Sequence, residues 1–309
     1  MRVAALDLGT NTFLLLVAEV GTGTFGGGQI HEVIHDEVRI VRLGQGVHES
    51  RQFHVDALKR ADECLQAFGE TARKLGAEKI LACATSAARD VTNADRLVEI
   101  CKNHGIPLKI ITGEREAELT FLGTLEDGAK EPAIIIDVGG GSTELIMGGR
   151  NGIAARASAD IGSVRLTELF VTKHPIPDRE LRAMVEYIQD KLAGALAKGP
   201  FPNSRELIAV AGTPTTLATL DQGLPFESNR VHGYRISTER LRHWVETLAR
   251  MTVEERQALA GMEPKRADVI VAGALILLAA CENFRAEGLD VSVRGLRYGI
   301  ARYLGAGGT

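Results

Sequence analysis

Two short segments of this chain repeat one another, and the repeat restricts the folds open to it. Shifted by 130 residues, "AALDLGTNTFLLL" (Ala4–Leu16) lies over "IIIDVGGGSTELI" (Ile134–Ile146). Asp7 then meets Asp137 and Gly9 meets Gly139, while Thr10, Asn11 and Thr12 meet Gly140, Gly141 and Ser142. Each segment is an apolar run broken by a tight turn and then resumed, the pattern of two strands joined by a short loop. Agreement in Asp, Gly and turn chemistry together implies a duplicated unit, one copy in each half of the chain, with the turns facing each other.

Around the two copies, strands and helices alternate. After the loop "GTGTFGGG", "QIHEVIHDEVRIVRL" reads as a further strand. Leu58, Ala61, Leu65, Phe68, Ala72 and Leu75 recur at steps of three and four, one face of a helix from about Asp56 that Gly76 ends. "KILACAT" and "LKIIT" read as strands, Asn93 as the cap of a helix ending before Gly105, and "EREAELTFLGTL" as a helix. The second half is more helical, with helices expected near 163–172, 179–197, 239–250, 267–284 and 296–304 and a strand at "ELIAVAG". Such alternation indicates an α/β protein, and 309 residues are enough for two domains.

Bulk properties exclude several classes. A net charge of -4 gives no basic excess for a nucleic-acid footprint. The most apolar run, Val269–Cys281, is shorter than the ~20 residues a membrane span needs and reads as a buried core helix. The N-terminus has no uninterrupted apolar core or cleavage site of a secretory signal. Cys64, Cys83, Cys101 and Cys281 are scattered, as reduced thiols of a cytoplasmic protein are.

The paired turns suit a polyanion. Glycine-rich turns leave backbone N–H groups pointing outward with no Cβ in the way. Thr10, Asn11, Thr12, Ser142 and Thr143 add side-chain donors. An aspartate before each turn would repel phosphate unless a cation lay between, and Mg²⁺ suits that place, since it takes one or two carboxylates, waters and phosphate oxygens. Asp137 and Glu144 stand across one hairpin turn and so can face one ion from opposite arms. The plain alternative is a turn that Asp137 merely caps. Arg89, after a buried strand, is either a phosphate clamp or a surface partner of Asp90 or Asp95. "AVAGTPTTLATL" places Pro214 at a first helical position, where the helix start can receive an anion or be simply capped.

One motif points elsewhere. His31-Glu32-Val33-Ile34-His35 spells H-E-x-x-H, the zinc signature of helical metalloproteases. Its surroundings are β-branched and partly alternating, and a strand separates the two histidines by ~13 Å, from a rise of ~3.3 Å per residue. One zinc ion cannot bridge that gap.

Taken in order, "ALDLGTNT", "ATSAARDVTN", "ITGEREAELTFLG", "IIDVGGGSTEL", "IGSVRLTE", "AGTPTTLATL", "VHGYRIS", "RADVIVAGALIL" and "RGLRYGIA" resemble the motifs of the exopolyphosphatase / guanosine pentaphosphate phosphohydrolase (Ppx/GppA) family, of the actin-like ATPase superfamily. The resemblance covers nearly the whole chain. It implies duplicated ribonuclease-H-like domains with an interdomain cleft, one lobe of residues 1–117 plus 295–309 and a second of 118–294. It implies phosphate binding by Gly9, Thr10, Asn11 and Thr12, by Gly139, Gly140, Gly141, Ser142 and Thr143, and by Arg89. Asp137 and Glu144 map to the metal carboxylates for Mg²⁺ or Mn²⁺, and Glu116 maps to the catalytic glutamate. On its residues alone, Glu116 is either a base at a helix start or a solvated helix glutamate. Where the family has Glu-Glu-Ala this chain has Arg115-Glu116-Ala117, so Arg115 either pairs with Glu116 or helps hold an acidic substrate. The chain stops at Thr309, as a short form without the helical C-terminal domain of long members does.

The activity implied is Mg²⁺-dependent removal of terminal phosphate from inorganic polyphosphate or from the 5′ end of pppGpp, with no nucleic-acid or membrane partner and with a homodimer left open. A small-molecule kinase of the actin-like superfamily and a non-catalytic polyphosphate or alarmone sensor are the competing readings. For the discarded zinc motif the expectation is equally concrete. Metal analysis of the purified chain should find no stoichiometric zinc that His35→Ala removes.

Overall fold

The computed structural model describes residues 1–23, 27–125, 132–149, 151–203 and 206–309. Residues 24–26 of the "GTGTFGGG" loop lie outside them. The chain divides into two compact units: Met1–Leu125 with Arg150–Gly152 and Gly295–Thr309, and Glu126–Gly149 with Ile153–Arg294.

The first unit is built on strands β1 (Arg2–Leu8), β2 (Thr12–Gly21), β3 (Gln29–Ile40), β4 (Lys79–Ala84) and β5 (Leu108–Ile110), in the sheet order β3-β2-β1-β4-β5. The β1–β2 and β2–β3 pairs are antiparallel, whereas β4 and β5 join in parallel. Both faces of β1 are covered, which is why its sequence is almost continuously apolar. Ala4, Leu6 and Leu8 face one core with Leu65 and Phe68, while Val3 and Ala5 face another with Leu119 and Ile300. The period of two along a strand sorts them. Helix Val55–Lys74 buries Ala61, Leu65, Phe68 and Ala72, and Gly76 follows at φ 74°, the left-handed conformation expected of a helix stop.

The second unit repeats that plan. Its strands are β6 (Ala133–Val138), β7 (Thr143–Gly149), β8 (Gly152–Ala159), β9 (Glu206–Val210), β10 (Arg235–Ser237) and β11 (Gly288–Val291). The order β10-β11-β9-β6-β7-β8 matches the first sheet strand for strand, with β10 added antiparallel at the edge beside β11. Register repeats as well: Leu8 opposes Phe13 in the first hairpin, and Val138 opposes Thr143 in the second. Helix Ile270–Phe284 is buried at every position except Glu282 and Asn283, so Val269–Cys281 belongs to the core. No helix among the described residues is long and apolar enough to cross a membrane.

Two local expectations are corrected. Asn93 does not cap the helix Asp95–Asn103 with its side chain. Its amide instead clamps the backbone of Phe53, accepting from that N–H at 2.8 Å and donating to that carbonyl at 3.3 Å. Helix Gly212–Gln222 starts two residues before Pro214, so the proline takes the third helical position, where its missing N–H still costs no intrahelical bond.

Glycine governs how the helix Gly113–Thr124 is seated. It crosses helix Leu296–Gly305 so closely that a Cβ on Gly299 would overlap the Leu119 carbonyl, and one on Gly123 the Gly295 carbonyl. Both clashes are with backbone, which has no rotamer to change. Gly299→Ala should therefore destabilise the fold by about 1–3 kcal/mol, the usual cost of overpacking. At Gly194, exposed in helix Asp178–Leu196, an added methyl meets open space. Gly194→Ala should be neutral or stabilising by up to about 1 kcal/mol. Denaturant unfolding of the two variants beside the parent checks the contrast.

Candidate active site

In both units the strand–turn–strand segment forms the same tight turn. Gly9 N–H donates to the Thr12 carbonyl and Gly139 N–H to the Ser142 carbonyl, each at 3.0 Å. A Cβ on Gly9 would stand 3.0 Å from that Thr12 oxygen, and one on Gly139 would stand 3.1 Å from the Ser142 oxygen, so a side chain at either position would crowd the turn.

What surrounds each turn decides its chemistry. In the first, the Thr10 carbonyl accepts from Gly44 N–H (2.8 Å), and the Asn11 carbonyl accepts from Val41 (3.0 Å) and Arg42 (2.9 Å). In the second, the start of helix Ser163–Phe170 performs this task. Ser163 N–H donates to the Gly139 carbonyl (3.0 Å), and Val164 (2.9 Å) and Arg165 (3.0 Å) donate to that of Gly140. Arg165 Nε completes the set on the Gly141 carbonyl at 2.7 Å. In a trans peptide the C=O and the following N–H point in opposite directions. Pinning the carbonyls on one side therefore aims the amides to the other. Among the described residues, the N–H groups of Thr10, Asn11, Gly140, Gly141 and Ser142 have no hydrogen-bond acceptor. Asn11 Nδ2 is likewise buried without one. Unmet donors grouped in this way call for an anion or ordered water.

The carboxylates fall into two sets. Asp137 and Glu144 are direct cross-strand partners on β6 and β7, so they share a face of the sheet. Both are buried, and Glu144 Oε1 accepts from Ser158 Oγ at 2.9 Å. Thr143 Oγ1 donates to the Ile161 carbonyl at 2.7 Å, so it braces the turn from below. Among the described residues no three or more His, Cys, Asp or Glu side chains gather as a metal-binding group. Two hard oxygen ligands fit Mg²⁺, which keeps several waters, better than they fit zinc.

Glu116 belongs to the first unit, in the opening turn of helix Gly113–Thr124, where the Thr112 side chain caps Arg115 N–H at 3.2 Å. It is buried, not solvated: 7% of its surface is exposed, and Arg89 Nη1 donates to its Oε2 at 2.8 Å. Arg89 Nη1 also donates to the Ile111 carbonyl at 2.9 Å, which leaves its Nε and Nη2 without a protein acceptor among the described residues. Neither Asp90 nor Asp95 is the partner of Arg89. Arg115 does not pair with Glu116; it bonds Glu118 at 3.0 Å and lies 4.8 Å from the Tyr303 ring centre.

Sequence reasoning missed Arg165 and Arg266. The Arg266 guanidinium lies against Gly212, adding positive charge to the start of helix Gly212–Gln222, and burial pushes it down to about 10. The signal was available for Arg165 in the "IGSVRLTE" motif, but nothing in its spacing says which carbonyl it reaches. The H-E-x-x-H residues His31 and His35 lie on extended β3, where His35 bonds Glu37 at 3.0 Å.

Known proteins resemble this chain in sequence and in fold. A family model described as the Ppx/GppA phosphatase family matches residues 17–303. The chain is 38% identical to exopolyphosphatase 2 of Mycobacterium tuberculosis over 97% of each chain. It is 26% identical to a guanosine-5′-triphosphate,3′-diphosphate pyrophosphatase of Vibrio vulnificus over 96% of this chain and 58% of that one. Among solved structures, an exopolyphosphatase of Cytophaga hutchinsonii superposes with a TM-score of 0.86 at 27% identity, covering 100% of this chain and 99% of that one. A PPX-GPPA enzyme of Aquifex aeolicus does so at 0.79 and 30%, covering 97% and 98%. With two mixed α/β sheets of the actin-like two-domain type and a family match over most of its length, the chain belongs to the Ppx/GppA phosphatase family.

Proposed function

We propose that this protein is a divalent-metal-dependent phosphohydrolase that releases terminal orthophosphate from inorganic polyphosphate or the 5′ γ-phosphate from pppGpp. The observation that carries the reading is the pair of turns in which the carbonyls of Thr10, Asn11, Gly139, Gly140 and Gly141 are held by neighbouring segments while, among the described residues, five N–H groups remain without an acceptor. Such concavities fit chains of phosphate and have little use for an uncharged substrate. The names of the relatives from M. tuberculosis and V. vulnificus support the two substrate classes.

Each residue then has a task. The turn amides, with Asn11 Nδ2, hold phosphate oxygens. Asp137 and Glu144 would hold Mg²⁺ or Mn²⁺, which when bound neutralises phosphate charge. Arg89 anchors Nη1 on the Ile111 carbonyl and on Glu116, so Nε and Nη2 offer two parallel donors to a phosphate. Glu116 accepts a proton from the attacking water. The new P–O bond forms as the bridging anhydride bond breaks, and the shortened chain leaves as a phosphate anion.

Orthophosphate release from tripolyphosphate, long-chain polyphosphate and pppGpp, each with and without Mg²⁺, tests the proposal. Glu116→Gln should lower turnover ~10²–10⁴-fold, the usual worth of a general base, with little change in KM. Asp137→Asn should raise the Mg²⁺ concentration needed for half-maximal rate. A wild-type rate in Glu116→Gln removes the base from the scheme. Tight binding of pppGpp with no release from any of the three substrates would instead establish a sensor.

A further inference from the structure

The two turns are held by different means, and the difference singles out one side chain. Under the 130-residue repeat, Asn11 corresponds to Gly141. The Asn11 carbonyl is pinned by two backbone amides, those of Val41 and Arg42. No backbone amide reaches the Gly141 carbonyl among the described residues, and its recorded donor is Arg165 Nε at 2.7 Å. We infer that Arg165 is a positioning residue for the second phosphate turn: by holding the Gly141 carbonyl it aims the Ser142 amide at the substrate. The inference rests on the function proposed above.

The local design supports it. Helix Ser163–Phe170 already spends the amides of Ser163, Val164 and Arg165 on Gly139 and Gly140, so none of these three remains for Gly141. Gly162 lets the helix start come this close, since a Cβ there would overlap the Gly140 carbonyl. The Gly141 carbonyl is instead reached by a side chain that folds back from the helix. Gly141 itself has no side chain to bias its peptide planes, so without Arg165 the Gly141–Ser142 peptide is free to rotate. The guanidinium, held by its own Nε, supplies a rigid donor where a lysine supplies a flexible one.

Arg165→Met and Arg165→Lys, each with steady-state kinetics on tripolyphosphate, a thermal melt and a crystal structure, test this. The Met variant should raise KM about tenfold with kcat changed far less, as loss of one hydrogen bond to a positioned ligand donor predicts. The Lys variant should recover part of that loss. In crystals, the Gly141–Ser142 peptide of Arg165→Met should be rotated or present in two orientations, while in Arg165→Lys it keeps the parent orientation. An unchanged peptide with unchanged KM overturns the inference. So does a fall in melting temperature with kcat and KM of the folded fraction unaltered, since that marks a merely structural contact. If the parent chain releases no orthophosphate from any phosphate substrate, the assigned function falls, yet the peptide orientation in the Met variant still decides the positioning role.

Discussion

The geometry of the trans peptide, applied at two turns, underlies the rest of this structure. A carbonyl and the amide that follows it point in opposite directions. Once neighbouring segments occupy the turn carbonyls, the amides are committed to the other side whether or not anything meets them there. The first turn is fixed by Val41, Arg42 and Gly44, and the second by Ser163, Val164 and Arg165. An unmet buried donor costs about 1–3 kcal/mol. Asn11 Nδ2 is buried in that state.

The duplication kept a geometry rather than a sequence. The first turn uses Thr10 and Asn11 where the second uses Gly140 and Gly141, yet hairpin register and the closing Gly N–H bond agree between them. A helix, rather than a loop, packs against the second copy. Helix Ser163–Phe170 comes within reach only because Gly162 has no Cβ to strike the Gly140 carbonyl. The carboxylates differ in the same sense. Asp137 faces Glu144 across its hairpin, whereas Asp7 faces Leu14 across its own. One copy therefore presents paired acids and the other a single one.

Much of this was legible in the sequence, for identifiable reasons. Strands buried on both faces announce themselves as apolar runs, and the 130-residue repeat is visible because Asp, Gly and hydroxyl residues recur together. Strands β8, β10 and β11 were not foreseen. The Ala-rich "GIAARASA" of β8 and the short "RIS" of β10 lack the β-branched alternation that marks a strand, and both lie at sheet edges. Asn93 carries the composition of a helix cap but is used as a clamp on Phe53, 40 residues away, a choice that tertiary contact makes and local sequence cannot report. Arg165 and Arg266 escaped for the same reason: a lone arginine on a helix is ordinary until the carbonyl or glycine beside it is known.

The charges around Glu116 show how chain order and spatial order part. In Glu114-Arg115-Glu116-Ala117-Glu118 the obvious pairing is between neighbours, but adjacent residues on a helix point about 100° apart and do not meet. Arg115 pairs instead with Glu118, three residues on, and lies over Tyr303. Glu116 is held by Arg89, 27 residues away, whose position is fixed independently by the Ile111 carbonyl. The arginine that departs from the family pattern is thus drawn off by its own partners and does not compete for the buried carboxylate. The guanidinium that holds Glu116 keeps two nitrogens without a protein acceptor among the described residues, so a single side chain can orient a carboxylate and still present a fork of donors.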